Sequence, residues 1–160
     1  MGIAERSRAR VEDVLSDLEG SYDSFPVNQT TLTLPEERYE RARREYGEGA
    51  VDTYLRIANE DGEVLHVTDD GQAGLPGVVG QPDHAVECDL ERRVERQTGV
   101  ECSVDGLEEV TIAGLGNADA PDDPTYYRLL VVYEASYQCG DLAEGVEWQP
   151  GTAEPRPAFV

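Results

Sequence analysis

Apolar residues recur along this chain with two periods, and the switches between them mark the elements. Val11, Val14, Leu15 and Leu18 repeat at helical spacing with Arg and acidic residues between them, which predicts an N-terminal helix stopped near Gly20. A polar, turn-rich stretch follows, with apolar anchors at Tyr22, Phe25 and Val27, and residues 30–34 read as a short strand. Pro35 suits a helix start, residues 36–46 are rich in helix formers, and Tyr39, Ala42 and Tyr46 give that helix an apolar side. Gly47 and Gly49 are its expected stop.

Residues 51–58 read as a strand, Asn59-Glu60-Asp61-Gly62-Glu63 as a turn, and residues 64–67 as the return strand. Glycines and acidic residues lead into a Leu75-Pro76-Gly77 loop. Residues 85–97 predict a helix with Val86, Leu90 and Val94 on one stripe. Short strands are expected at 110–113 and 146–148, turns at Gly114-Leu115-Gly116-Asn117, and a loop at 117–124. The most apolar run, residues 126–135, reads as a buried strand. The tail from Pro150 is expected to be irregular. A hairpin, a loop, a helix and further strands give an α+β or α/β sandwich, with no internal repeat.

Composition narrows the function classes. The 160 residues fit one compact domain. The 13 basic residues against 34 acidic ones give a net charge of −21, and every basic residue is arginine. Phosphate-backbone binding needs a basic patch, so nucleic acid is excluded as a partner. The acid excess with ordered apolar periods implies a solvated acidic surface that salt would screen. The lack of lysine resembles proteins of salt-loving archaea; the other reading is an ordinary acidic protein. Cys88, Cys102 and Cys139 have no metal-type spacing, which points to a reducing, cytoplasmic setting. No stretch predicts a membrane span or an export signal, and Asn28-Gln29-Thr30 is read as a chance match to a glycosylation acceptor. No nucleophile elbow or glycine-rich nucleotide loop is found.

Residues 75–100 carry a resemblance. Leu75-Pro76-Gly77 looks like the Leu-Pro-Gly-Gly entry to a Nudix box, and Arg92, Val94, Thr98, Gly99 and Val100 fall on the box's Arg, apolar, variable, Gly and apolar positions. Gly62-Glu63-Val64-Leu65 looks like the preceding hairpin, and Glu147-Trp148 resembles an acidic-Trp pair near the domain end. The resemblance spans roughly residues 51–148. It implies a Nudix-like α/β/α sandwich with a mixed sheet over residues 51–150, preceded by an N-terminal helical extension (1–50) and followed by the tail (151–160).

The frame is kept but the acids are not. The box glycine falls on Val78, and the expected glutamates fall on His84, Arg93, Arg96 and Gln97. In the family such carboxylates hold Mg²⁺ or Mn²⁺ for attack on a diphosphate. A hard dication needs oxygen ligands, and arginine can neither ligate it nor lose its charge. Glu87, Glu91 and Glu95 share one helical face, roughly 120–200° around the helix from Arg93 and Gln97, so they are shifted-site candidates off the family's metal face. Arg92, Arg93, Arg96 and His84 are candidates for binding an anion, against a plainer reading as surface ion pairs.

Three functions follow from these residues. The first is a Nudix-type module, weak or inactive as a hydrolase, that binds a nucleotide diphosphate or another anion without a cofactor. The second is an active Mg²⁺- or Mn²⁺-dependent hydrolase of nucleoside diphosphate derivatives using Glu87, Glu91, Glu95 or acids of residues 119–123. The third is an interaction protein docking through residues 1–50. Family members often dimerise, so a homodimer is a further expectation.

Overall fold

The computed structural model describes residues 2–46, 51–69 and 71–150. The expected helix stop at Gly47 and Gly49, and the tail from residue 151, lie outside them. Three helices, α1 (Ile3–Ser21), α2 (Glu36–Tyr46) and α3 (Glu87–Thr98), combine with eight strands. The strands are β1 (Val27–Leu34), β2 (Val51–Ala58), β3 (Val64–Asp69), β4 (Gln72–Gly74), β5 (Gly77–Gln81), β6 (Glu101–Asn117), β7 (Tyr126–Cys139) and β8 (Val146–Gln149). They form one mixed sheet in the order β1-β6-β7-β2-β3-β4, with β5 paired to β2 and β8 to β3.

Alternation along the central strands sorts side chains to two faces. Leu129, Val131, Tyr133 and Ala135 of β7 join Val51, Leu55 and Ile57 of β2, and α1 (Val11, Val14, Leu18) and α3 (Leu90, Val94) cover them. Leu130 and Val132 point the other way with Tyr54, and α2 covers them with Tyr39 and Ala42. The architecture is therefore α/β, with helices on both faces of a mixed sheet. The described residues before β2 are built into it: α1 lies in the larger core cluster, and β1 runs parallel to β6 through the register Val27↔Val110 to Leu34↔Asn117.

Several expectations need correction. The strand expected at 110–113 is 17 residues long, because β7 pairs with it along nearly its whole length. That pairing also turns Gly114-Leu115-Gly116-Asn117 into strand rather than a turn. The loop before α3 contains two short strands, β4 and β5, which carry too few residues to show a period. The helix expected from residue 85 begins at Glu87, with Val86 as its extended N-cap. No helix among the described residues is long and apolar enough to cross a membrane.

Candidate functional site

The box residues form a strand, a loop and a helix packed on the sheet. Gly77 opens β5 against β2, where a Cβ atom would stand 2.1 Å from the Thr53 carbonyl oxygen, so only glycine permits the approach. Leu90, Val94 and Thr98 bury one stripe of α3. The Thr98 hydroxyl donates to the Val94 carbonyl at 2.7 Å and accepts from the Val100 amide at 3.1 Å, which tightens the exit. Gly99 ends the helix in the left-handed region at φ +81°, its amide donating to Glu95 O at 2.7 Å. Its carbonyl also fills the side-chain space of a second glycine. A Cβ at Gly140 would sit 2.2 Å from Gly99 O, and one at Gly99 would sit 2.2 Å from Asp141 O.

The two flanks of α3 differ. On the β6 side, Glu91 Oε2 accepts the Val104 amide at 2.7 Å. Glu87 Oε2 accepts the Tyr22 hydroxyl at 2.6 Å. Burial, and then that carboxylate, hold the Tyr22 hydroxyl well above its ordinary range, so it stays a donor. The Tyr22 ring packs 5.7 Å from that of Tyr133, fastening the end of α1 to β7. These two shifted-site candidates are thus engaged in holding elements together, while Glu95 is exposed.

On the β5 side stand Arg93 and Gln97, two of the positions where the resemblance expects a glutamate. Gln97 Oε1 accepts the Gly77 amide at 3.3 Å, and Arg93 Nη1 donates to Gln81 Oε1 at 3.4 Å. Arg93 Nε also lies 3.3 Å from Asp89 Oδ2, one turn back. Arg92 and Arg96 are exposed, a turn apart from each other. This donor set does not fit a hard dication. Its only carboxylate belongs to Asp89, already paired with a guanidinium, and its amide oxygens accept protein hydrogen bonds. It fits an anion better, because Arg93 and Arg96 leave guanidinium surface open to solvent.

His84 is not part of that flank. It precedes α3, its amide donates to Asp83 Oδ1 at 2.8 Å, and its Nε2 lies 3.9 Å from the same oxygen. Asp17 of α1 completes a trio whose potential ligand atoms lie within 4.8 Å of one another. Asp17 and Asp83 of this trio line an open groove of about 450 Å³ between α1 and the Pro82-Asp83 turn, which Arg6, Arg10 and Asp13 also line. Asp17 and Asp83 escape a sequence reading because 66 residues (83 − 17) separate them and neither sits in a motif.

A buried ion pair lies beneath β5. Arg128 Nη2 and Asp52 Oδ1 are 2.5 Å apart, with Arg128 Nε 3.1 Å from Oδ2, and the side chains are 0% and 1% exposed. The Gly80 amide donates to the same Oδ1 at 2.8 Å, tying the box strand to the pair. Nothing in the local sequence around Asp52 or Arg128 announces this contact. Tyr126 and Tyr133 are core residues and Tyr127 is half-buried under Arg8, which stands 5.3 Å from its ring centre. His66 is structural: it is buried, with Nδ1 2.9 Å from Val64 O.

No family model matches the chain, and no curated protein matches it. Among solved structures it is similar to a UDP-X diphosphatase, at 15% identity and a TM-score of 0.49, over 91% of this chain and 70% of that one. It is also similar to the ORF135 protein of E. coli in solution, at 16% identity and a TM-score of 0.41, over 63% of this chain and 73% of that one.

Proposed function

We propose that this chain is a Nudix-type domain that binds the anionic part of a nucleotide diphosphate derivative without metal and without hydrolysing it. One observation carries the reading: on the flank of α3 where the box frame expects metal carboxylates, Arg93 and Gln97 are present and are held toward β5 by Gln81 and Gly77. A guanidinium positioned by a neighbour binds phosphate as a planar two-pronged donor, and needs no cation to offset the charge. Glu87 and Glu91, which a shifted metal site would need, already accept protein hydrogen bonds.

The test is thermal unfolding of the protein in molar KCl, without divalent metal, against a panel of nucleotide sugars, dinucleoside polyphosphates and oxidised nucleotides. A ligand present at about a hundred times its Kd adds roughly 2.7 kcal/mol to apparent stability. The expected result is a rise in Tm that Arg93→Ala weakens and that Mg²⁺ does not enlarge. Metal-dependent phosphate release from any member of the panel, abolished by Glu95→Gln or Glu91→Gln, would overturn the proposal in favour of a working hydrolase.

A further inference from the structure

Among the described residues β1 is an open edge of the sheet, and it carries no charged side chain. Residues 24–35 contain no charged side chain in a chain of net charge −21, and Val110 to Asn117 of its neighbour β6 contain none either. Val27 to Thr31 are exposed on both faces, and among the described residues β1 pairs only with β6. Long edge strands are ordinarily guarded by charge, proline, bulges or a covering element, because their free amides and carbonyls template another strand. The opposite edge is β4, only three residues long. β1 has eight residues, and its register with β6 is continuous.

The direction of the free groups follows from the register. Val110 N donates to Pro26 O at 3.1 Å and Ala118 N donates to Leu34 O at 2.8 Å, so even-numbered residues turn their peptide groups toward β6. Val27, Gln29, Thr31 and Thr33 therefore turn theirs outward. An antiparallel copy of the same strand, centred on Thr30, matches Val27 with Thr33 and Gln29 with Thr31 of the second copy. All four outward residues then form hydrogen-bonded pairs, and no like charges oppose each other.

We propose that two copies of this chain pair through β1 across a two-fold axis, joining their sheets into one continuous sheet. A two-fold contact requires a self-complementary surface, and an alternating uncharged strand is one. Two bodies this acidic repel each other almost everywhere else, so the uncharged edge is where close approach costs least. For the same reason pairing strengthens as salt rises.

The experiment combines light scattering with amide exchange on the full chain, in dilute and in molar KCl. The expected mass is twice 17.6 kDa at high salt, falling toward 17.6 kDa on dilution or desalting. The Gln29, Thr31 and Thr33 amides should exchange at least tenfold more slowly in the concentrated sample than in the dilute one. Thr31→Pro removes an outward donor while sparing the pairing with β6, and Gln29→Glu places like charges across the axis; both should give a monomer. Circular dichroism identifies a variant that has lost its fold, and the two variants differ enough in chemistry for one to stand in for the other. A monomer at every concentration and salt would overturn the proposal. So would a dimer that survives both substitutions with the odd-numbered amides exchanging freely.

Discussion

Arg128 and Asp52 are the residues whose neighbours matter most to their energetics. Both are essentially inaccessible, and a buried charge is tolerable only beside its partner. Arg128→Met should therefore strand the Asp52 carboxylate and cost about 3–5 kcal/mol, read as a lower urea midpoint. Replacing both residues by apolar ones of similar size should recover most of that loss, since the penalty belongs to the orphaned charge rather than to the pair. Cys102 provides a second test. Burial, and then the charges of Glu91 and Glu95, push its thiol from 9.0 up to about 12. Below about pH 9 the folded and unfolded chains both keep this proton, and its contribution to stability is complete. Between pH 9 and pH 12 the unfolded chain loses the proton first, and stability falls. Urea midpoints measured at pH 8, 9.5 and 11 should decline, less steeply in Cys102→Ala. Maleimide at pH 8 should label exposed Cys88 and Cys139 but not native Cys102.

At the level of elements, α3 shows what a periodic reading can and cannot deliver. Its extent to within two residues and the burial of Leu90 and Val94 follow from spacing, because a buried stripe demands a 3.6-residue repeat; Val86, expected on the same stripe, is instead an exposed N-cap. The same holds for β2, which runs over the expected residues 51–58. What spacing cannot deliver is the partner of each flank. Glu91 meets Val104 across 13 residues and Glu87 meets Tyr22 across 65, through contacts set by how whole elements dock. The opposition of these glutamates to Arg93 and Gln97 was legible from the helical angle alone, whereas the trio of Asp17, Asp83 and His84 was not. Val104 donates its amide to Glu91 on a stretch of β6 beyond the reach of β1. Glu91→Gln keeps an acceptor but removes the charge, and Glu91→Ala leaves the amide unmatched. The alanine variant should lose about 1.5–3 kcal/mol and the glutamine variant less, with faster exchange of the Val104 amide as the local signature.

For the molecule as a whole, charge governs how stability responds to solution conditions. A net charge of −21 on 160 residues makes the compact state repel itself. At 0.1 M salt the screening length is about 10 Å, and at 1 M about 3 Å, shorter than most distances between surface carboxylates. Raising KCl from 0.1 M to 2 M should therefore raise Tm by several degrees, and most of the gain should come below 1 M. A flat response would mean that the acidic surface is neutralised locally by its arginines, as in Arg8 with Glu12 and Arg56 with Glu108.

The paired glycines at the end of α3 bear on how the sequence of such a domain can drift. Gly99 and Gly140 are far apart in the chain, yet the Gly99 carbonyl fills the side-chain space of Gly140, and the Asp141 carbonyl fills that of Gly99. A side chain arriving at either one would force the backbones apart, so neither site can change without opening the seam between the helix exit and the end of β7. Related chains should therefore keep glycine at both positions, because each clash is with a backbone carbonyl.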